Sequence, residues 1–119
     1  MNDRKLLELA AKAAGIKVDW RKSVECFCYS SSPYNVAWSP LTDDGDALRL
    51  AVKLEIDLSF YSERDARVYA QTKHLLGFGT DDRPTYQAHE YMKEPYGGDP
   101  FAATRRAIVR AAAEIGRSM

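Results

Sequence analysis

The chain has 119 residues, of which 45% are apolar and 29% are charged, and its 17 basic residues balance 17 acidic ones. This length predicts a single domain over residues 1–119. The formal net charge of zero excludes a strong overall field that would attract nucleic acid or an anionic membrane. No apolar run approaches the roughly 20 residues of a membrane span, and the first residues lack the features of a signal peptide. We therefore expect a cytoplasmic protein that does not bind a membrane.

The first third of the chain predicts one helix and three strands. Asp3 is a candidate cap for a helix over 4–14, and Gly15 suits the left-handed backbone that ends many helices. Alternating apolar residues then predict strands over 16–20 and 24–29. After a loop rich in serine, a third strand is predicted to end at Trp38.

A strand end, a turn and a helix start meet between residues 37 and 51. Pro40 stops the strand, because it has no N–H for a sheet and disfavours helix at the residue before it. Three side chains that follow can cap a helix, and they are Thr42, Asp43 and Asp44. This helix carries apolar residues at helical spacing, which are Ala47, Leu48, Ala51, Val52 and Leu54. We expect Trp38 to be buried against this helix and the last one, so that its role is structural.

The second half predicts a hairpin, a region of loops and a final helix. In chain order, the pattern predicts a strand over 54–61, a hairpin loop over 62–65, a returning strand over 66–74, a loop over 75–84, a weaker strand over 85–92 and a break at 96–98. Asp99 and Pro100 are typical of a helix start, and Gly116 of a helix end.

The final helix is predicted to be amphipathic. Its buried stripe comprises Phe101, Thr104, Ile108, Ala111, Ala112 and Ile115. Its solvent face carries Arg105, Arg106, Arg110 and Arg117. Together the elements predict an α+β fold, in which three helices pack on one face of a mainly antiparallel sheet of about five strands.

Three sequence blocks occur in the order seen in a known family. They are Leu9-Ala10-Ala11-Lys12-Ala13-Ala14-Gly15, then Trp38-Ser39-Pro40-Leu41-Thr42-Asp43, and then Gly98-Asp99-Pro100-Phe101-Ala102-Ala103-Thr104-Arg105-Arg106-Ala107-Ile108-Val109. With these blocks the chain resembles the small tailed-phage and prophage proteins related to the NinX protein of lambdoid phages. The resemblance implies a phage or prophage origin and carries over no settled activity.

Two groups of residues invite a metal ion, and neither fits one. The acidic run over 43–46 has Arg49 where a calcium-binding loop needs its glycine, and helix capping explains the acids. The second group matches no usual zinc spacing, and it comprises Cys26, Cys28, His74 and His89. Reduced, buried thiols in a strand explain the two cysteines. Since the chain also lacks a catalytic or dinucleotide-binding signature, we predict no metal, no cofactor and no enzymatic activity.

The arginines of the last helix suggest two further functions. Arg106, Arg110 and Arg117, with Arg105 beside them, could follow a phosphate backbone, although a solvated helix face also explains them. Arg105 and Arg106 could instead help to hold an anionic metabolite or a nucleotide, together with Arg64, Arg67 and Lys73 for charge and Tyr69 or Tyr86 for stacking on a base.

Seven tyrosines exceed what a small core needs, and they favour a protein-binding surface. They lie on predicted strands and loops, at Tyr29, Tyr34, Tyr61, Tyr69, Tyr86, Tyr91 and Tyr96. The candidate contact residues among them are Tyr69, Tyr86 and Tyr91. We therefore expect a phage or prophage accessory protein that binds a host or phage protein, for instance to inhibit a host function or defence. A homodimer, an anionic ligand and nucleic acid remain the alternatives.

Overall fold

The computed structural model describes residues 2–61, 67–72 and 99–119, which form three helices and four strands. In chain order these are α1 (Asp3–Ala14), β1 (Val18–Arg21), β2 (Cys26–Tyr29), α2 (Asp44–Lys53), β3 (Ile56–Tyr61), β4 (Arg67–Thr72) and α3 (Pro100–Arg117). β1 pairs antiparallel with β2, and β3 pairs antiparallel with β4, so the described strands form two separate two-stranded sheets. The fold is α+β, whereas the predicted single larger sheet is not confirmed.

Several predicted elements lie outside the described residues. They are the hairpin loop over 62–65, the loop over 75–84, the weaker strand over 85–92 and the break at 96–98. Within the described ranges, no helix is long and apolar enough to cross a membrane.

Side-chain caps set the starts of all three helices. The side chain of Asn2 accepts a hydrogen bond from the backbone N–H of Lys5 at 2.8 Å, so Asn2 is the cap of α1. The prediction of Asp3 as this cap was wrong by one residue, because Asp3 already has helical backbone. Gly15 ends α1 with φ 68°, as predicted. A glycine takes this left-handed conformation without the steric cost of a Cβ.

The caps of α2 and α3 are confirmed. The Asp43 carboxylate accepts from the backbone N–H of Asp46 at 2.8 Å, which identifies Asp43 among the three candidates. Asp99 accepts from the backbone N–H groups of Phe101 and Ala102, and Pro100 occupies the first helical position. Proline costs little there, since that N–H has no partner within the helix.

The segment before Trp38 meets β2 at one point and does not form the predicted third strand. Among the described residues, Cys28 and Ala37 form the single isolated β-bridge. Two backbone hydrogen bonds flank the bridge, from Tyr29 to Val36 at 3.0 Å and from Trp38 to Phe27 at 2.9 Å. The strand prediction was wrong because the chain turns away at Pro40 before further pairs can form.

Arg21, the last residue of β1, fastens the loop that follows β2. Its guanidinium donates to the backbone carbonyls of Tyr29, Ser32 and Tyr34 at 2.8–3.0 Å. It also donates to two side-chain oxygens, those of Asp19 and Asn35. One side chain therefore supplies donors to carbonyl groups that strand pairing leaves unsatisfied.

The most extensive contact between elements is the one between α1 and α3. Alanines supply much of it, and the buried ones are Ala10, Ala11, Ala14, Ala107, Ala111, Ala112 and Ala113. Gly116 is buried in the last turn of α3, where an added Cβ would overlap the backbone carbonyl of Leu9. The prediction that Gly116 ends the helix was wrong, because this glycine allows close packing within a helix that runs on to Arg117.

The core joins all three helices to both sheets. Trp38 is buried in it, as predicted, in one cluster with Leu50 of α2 and Ile108 of α3. Phe101, which was predicted to lie in the buried stripe of α3, is instead exposed. Leu48 and Val52 belong to the apolar pattern of α2 and are also exposed, so the helical period identified the element but not which of its apolar side chains the core covers.

We expect Gly116→Ala to lower the free energy of unfolding by about 1–3 kcal/mol, because the new methyl group must push α3 away from α1. Gly45→Ala is the matched control, since the atoms nearest to a Cβ at Gly45 are the ends of the Asp43 and Arg49 side chains, at 3.2–3.4 Å. Alanine also favours helix over glycine, so the control should be neutral or stabilised. Urea denaturation measures both variants, and equal stability of the two would contradict the close approach at Gly116.

Trp38→Ala should cost about 3–5 kcal/mol, since it removes a large buried side chain from the common core. Trp20 is only half-buried and provides the control, because Trp20→Ala should cost less. Thermal or urea unfolding measures the difference. A Trp38→Ala variant as stable as the parent would assign Trp38 to a surface role instead.

Candidate docking groove

Two elements that follow one another in the sequence, together with the last helix, enclose an apolar groove of about 360 Å³. α2, β3 and the first turns of α3 form its walls. The lining residues are Asp44, Ala47, Leu48, Leu58, Phe60, Pro100, Phe101, Thr104, Arg105 and Ile108. We call this feature the docking groove.

Large apolar side chains at the edge of the docking groove face solvent. Leu48, Phe60 and Phe101 are 61%, 59% and 67% exposed. Val52, one helical turn beyond Leu48 on α2, is 69% exposed. Isolated exposed apolar residues are common, but a cluster around one concave surface is typical of an interaction site. The docking groove is therefore our candidate functional site.

The local structure explains why each of these residues leaves the core. On β3, Ile56, Leu58 and Phe60 share one face, and they are buried, half-buried and exposed in that order. The strand therefore runs out of the core toward Phe60. Phe101 lies in the first turn of α3, whereas the buried positions of α3 begin at Ala107. Phe101 consequently projects beyond the part of the helix that the core covers.

Arg105 forms the polar side of the docking groove. Its Nε donates to the backbone carbonyl of Leu41 at 2.9 Å, and its Nη1 donates to Asp44 Oδ1 at 2.6 Å. The Arg105 side chain is only 16% exposed, while that of Asp44 is 68% exposed. Arg105 therefore links α3 to the start of α2, and Asp44 is the more accessible charge.

The other arginines of α3 have separate environments. Arg106 makes two hydrogen bonds to the Asp3 carboxylate, at 3.1 and 3.2 Å, and so ties α3 to α1. Arg117 pairs with Glu114 at 3.0 Å, and Arg110 is half-buried. Because Arg105 and Arg106 turn toward different helices, they do not form one continuous stripe. The prediction that Arg105 and Arg106 lie on a solvent face was wrong, because their side chains are only 16% and 28% exposed and bind carboxylates of other helices.

The remaining candidate contact residues are only partly described. Tyr69 is half-buried and packs against the core, which leaves less of its ring for a partner. Tyr34 is the exposed tyrosine of the loop after β2. For Arg67 the structure describes the backbone only. The other predicted site residues lie outside the described ranges, and they are Arg64, Lys73, His74, Tyr86, His89 and Tyr91.

Each aspartate of the acidic run has a structural partner. Asp43 caps α2, and Asp44 pairs with Arg105. Asp46 is buried, accepts from the backbone N–H of Ser39 at 2.9 Å and pairs with Arg49. The hydrogen bond that Arg49 donates to the Asp46 carboxylate raises the pKa of Arg49 above its ordinary value. Asp46 thus fixes the turn after Trp38, a role that the sequence pattern did not reveal.

The two cysteines lie side by side on β2. Their Sγ atoms are 3.9 Å apart, and Cys28 is fully buried. Burial raises the pKa of the Cys26 thiol, and Cys28 raises that pKa further, so Cys26 is protonated near neutral pH. In the part of the chain that the structure describes, no three potential metal-ligating side chains converge.

Comparisons with known proteins give no match. No protein-family model, no curated protein and no solved structure is similar to this chain. The docking groove therefore has to be interpreted from its own geometry and chemistry.

Arg105→Ala should lower the free energy of unfolding by about 1–3 kcal/mol, because the partly buried carbonyl of Leu41 loses its hydrogen-bond donor. Arg106→Ala should cost less than about 1 kcal/mol, since an ion pair to an exposed carboxylate contributes little. Urea denaturation of the two variants gives the comparison. If Arg106→Ala lowered the free energy of unfolding more than Arg105→Ala, burial of the Arg105 side chain would not explain its contribution to stability.

Proposed function

We propose that this chain is a non-enzymatic binding protein that acts by docking a partner protein in the groove between α2, β3 and α3. The observation that carries the proposal is the cluster of Leu48, Phe60 and Phe101, three large apolar side chains left exposed around one hollow. Burying such side chains against a partner is the main source of binding free energy in protein interfaces.

The chemistry of the described residues favours a protein over an anionic ligand or nucleic acid. Seven of the ten residues that line the docking groove are apolar. Arg105 and Arg106 already bind carboxylates, those of Asp44 and Asp3 respectively. The whole chain has no net positive charge to attract a polyanion. An apolar protein surface fits the docking groove better than a phosphate group does.

The biological setting is part of the same proposal. The resemblance to small phage and prophage proteins supports an accessory role in a bacterial host cell, with a host or phage protein as the partner. Binding that blocks a host function needs no catalytic residues, which agrees with the sequence lacking a catalytic signature. The cytoplasm is the compartment in which such a partner is met.

The groove double variant, Leu48→Ala with Phe101→Ala, tests the proposal. We expect the parent chain to retain one protein or a few from a bacterial host lysate, and the double variant to lose them. Each exposed site should change the free energy of unfolding by no more than about 0.5 kcal/mol, so the loss would not reflect unfolding. Affinity capture followed by mass spectrometry is the measurement.

Val24→Ala with Tyr34→Ala is the matched control, because both residues are exposed and lie near β1 and β2, away from the docking groove. This control should retain the same proteins as the parent. Retention that survives the groove double variant, or turnover of a small molecule by the purified chain, would overturn the proposed function.

A further inference from the structure

We propose that the docking groove receives an amphipathic α-helix of the partner, with large apolar residues on one face and lysine or arginine beside them. This inference rests on the proposed function and specifies the chemistry of the partner. Three observations carry it: the apolar ridge on α2, the hollow beside that ridge, and the sign of the accessible charge at one end.

The ridge consists of Leu48 and Val52, which lie one helical turn apart on α2 and are both mostly exposed. Residues four apart on a helix form a continuous row, and such rows fit into the grooves between the side-chain rows of another helix. α2 therefore presents to solvent the kind of surface that helices normally bury against one another.

The hollow beside the ridge accepts large side chains. Ala47 and Ile108 are buried at its base, and Phe60 and Phe101 stand at its edge. The small side chain of Ala47 leaves room where a longer one would fill the space. Partner helices in such grooves insert apolar anchors at positions i, i+3 or i+4, and i+7.

The accessible charge at the α3 end of the docking groove is negative. The Asp44 side chain is 68% exposed, and Asp99, which precedes the lining residue Pro100, is also exposed. Arg105, the basic residue of the lining, is only 16% exposed and is held by Asp44 and Leu41. A partner side chain beside this end meets carboxylates, which favours lysine or arginine.

The same charges disfavour a second copy of this chain as the occupant. A two-fold contact sets one patch against an identical patch. Asp44 and Asp99 of both copies would then share one interface, and Arg105 pairs with Asp44 alone, so one carboxylate of each copy is not offset by it. Like charges brought together in an interface oppose association.

A selection experiment tests the inference. Random peptides of about 18 residues, or five helical turns, are displayed on yeast and selected with the parent chain. Peptides that also bind the groove double variant are removed. We expect the enriched sequences to carry apolar residues at helical spacing and an excess of lysine and arginine. The tightest peptide should bind the groove double variant at least tenfold more weakly than it binds the parent. It should bind the Val24→Ala, Tyr34→Ala control with the same affinity as the parent.

A charge variant tests the basic preference separately. Asp44→Asn with Asp99→Asn removes both charges, and asparagine keeps an acceptor for Arg105 and for the cap of α3. Affinity for the selected peptide should fall about three- to tenfold at low salt, and the difference should shrink near 1 M salt as screening increases. Fluorescence anisotropy of the labelled peptide measures both effects.

The outcomes separate this inference from the proposed function. The inference of a basic, helical partner would be overturned by enriched peptides that are acidic, that lack helical spacing, or that bind independently of the docking groove. The absence of any enrichment would overturn it as well. If capture of lysate proteins still depended on the docking groove, the proposed function would survive that result. A dimer of the parent chain in sedimentation experiments, lost in the groove double variant, would identify a second copy as the occupant and also overturn the inference.

Discussion

The backbone of α3 lies against the backbone of α1 at Gly116, and this close approach constrains the rest of the molecule. Alanines on both helices allow the two backbones to stay near one another over several turns. The second half of α3 is thereby held in the core. Its first turns extend past that contact toward α2 and β3. The docking groove exists because α3 is longer than the surface that buries it.

Local chemistry made several of the helix boundaries predictable, whereas packing between distant elements did not follow from it. Asp43, Asp99 and Gly15 act through hydrogen bonds and backbone conformations within a few residues, so the sequence revealed them directly. At Gly116 the usual association of glycine with a helix end failed, because contact with Leu9 requires a residue without a side chain. Tertiary contact outweighed the local preference there.

The same distinction applies to the candidate site. Helical spacing grouped Leu48 and Val52 with the core residues of α2. Spacing alone does not show how much of the α2 surface is covered by the elements packed against it. The apolar stripe of α2 is wider than the contact of a short helix with its neighbours requires. This width was the signal in the sequence that some of its apolar side chains are exposed. The partners of Arg105 and Arg106 lie more than 60 residues away along the chain, at Asp44 and Asp3, so no local pattern identifies them.

Because Arg21 holds the loop after β2 mainly through backbone groups, that loop can tolerate changes of side chain. Three of the five acceptors of Arg21 are backbone carbonyls, a group that every amino acid carries. The side chain at Tyr34 can therefore change while the anchoring bonds persist, whereas the Ser32 hydroxyl also accepts from the backbone N–H of Tyr34 and helps to shape the loop. The loop is a natural attachment point for a fluorophore, an epitope or a surface tether, which would leave the docking groove open to whatever it binds.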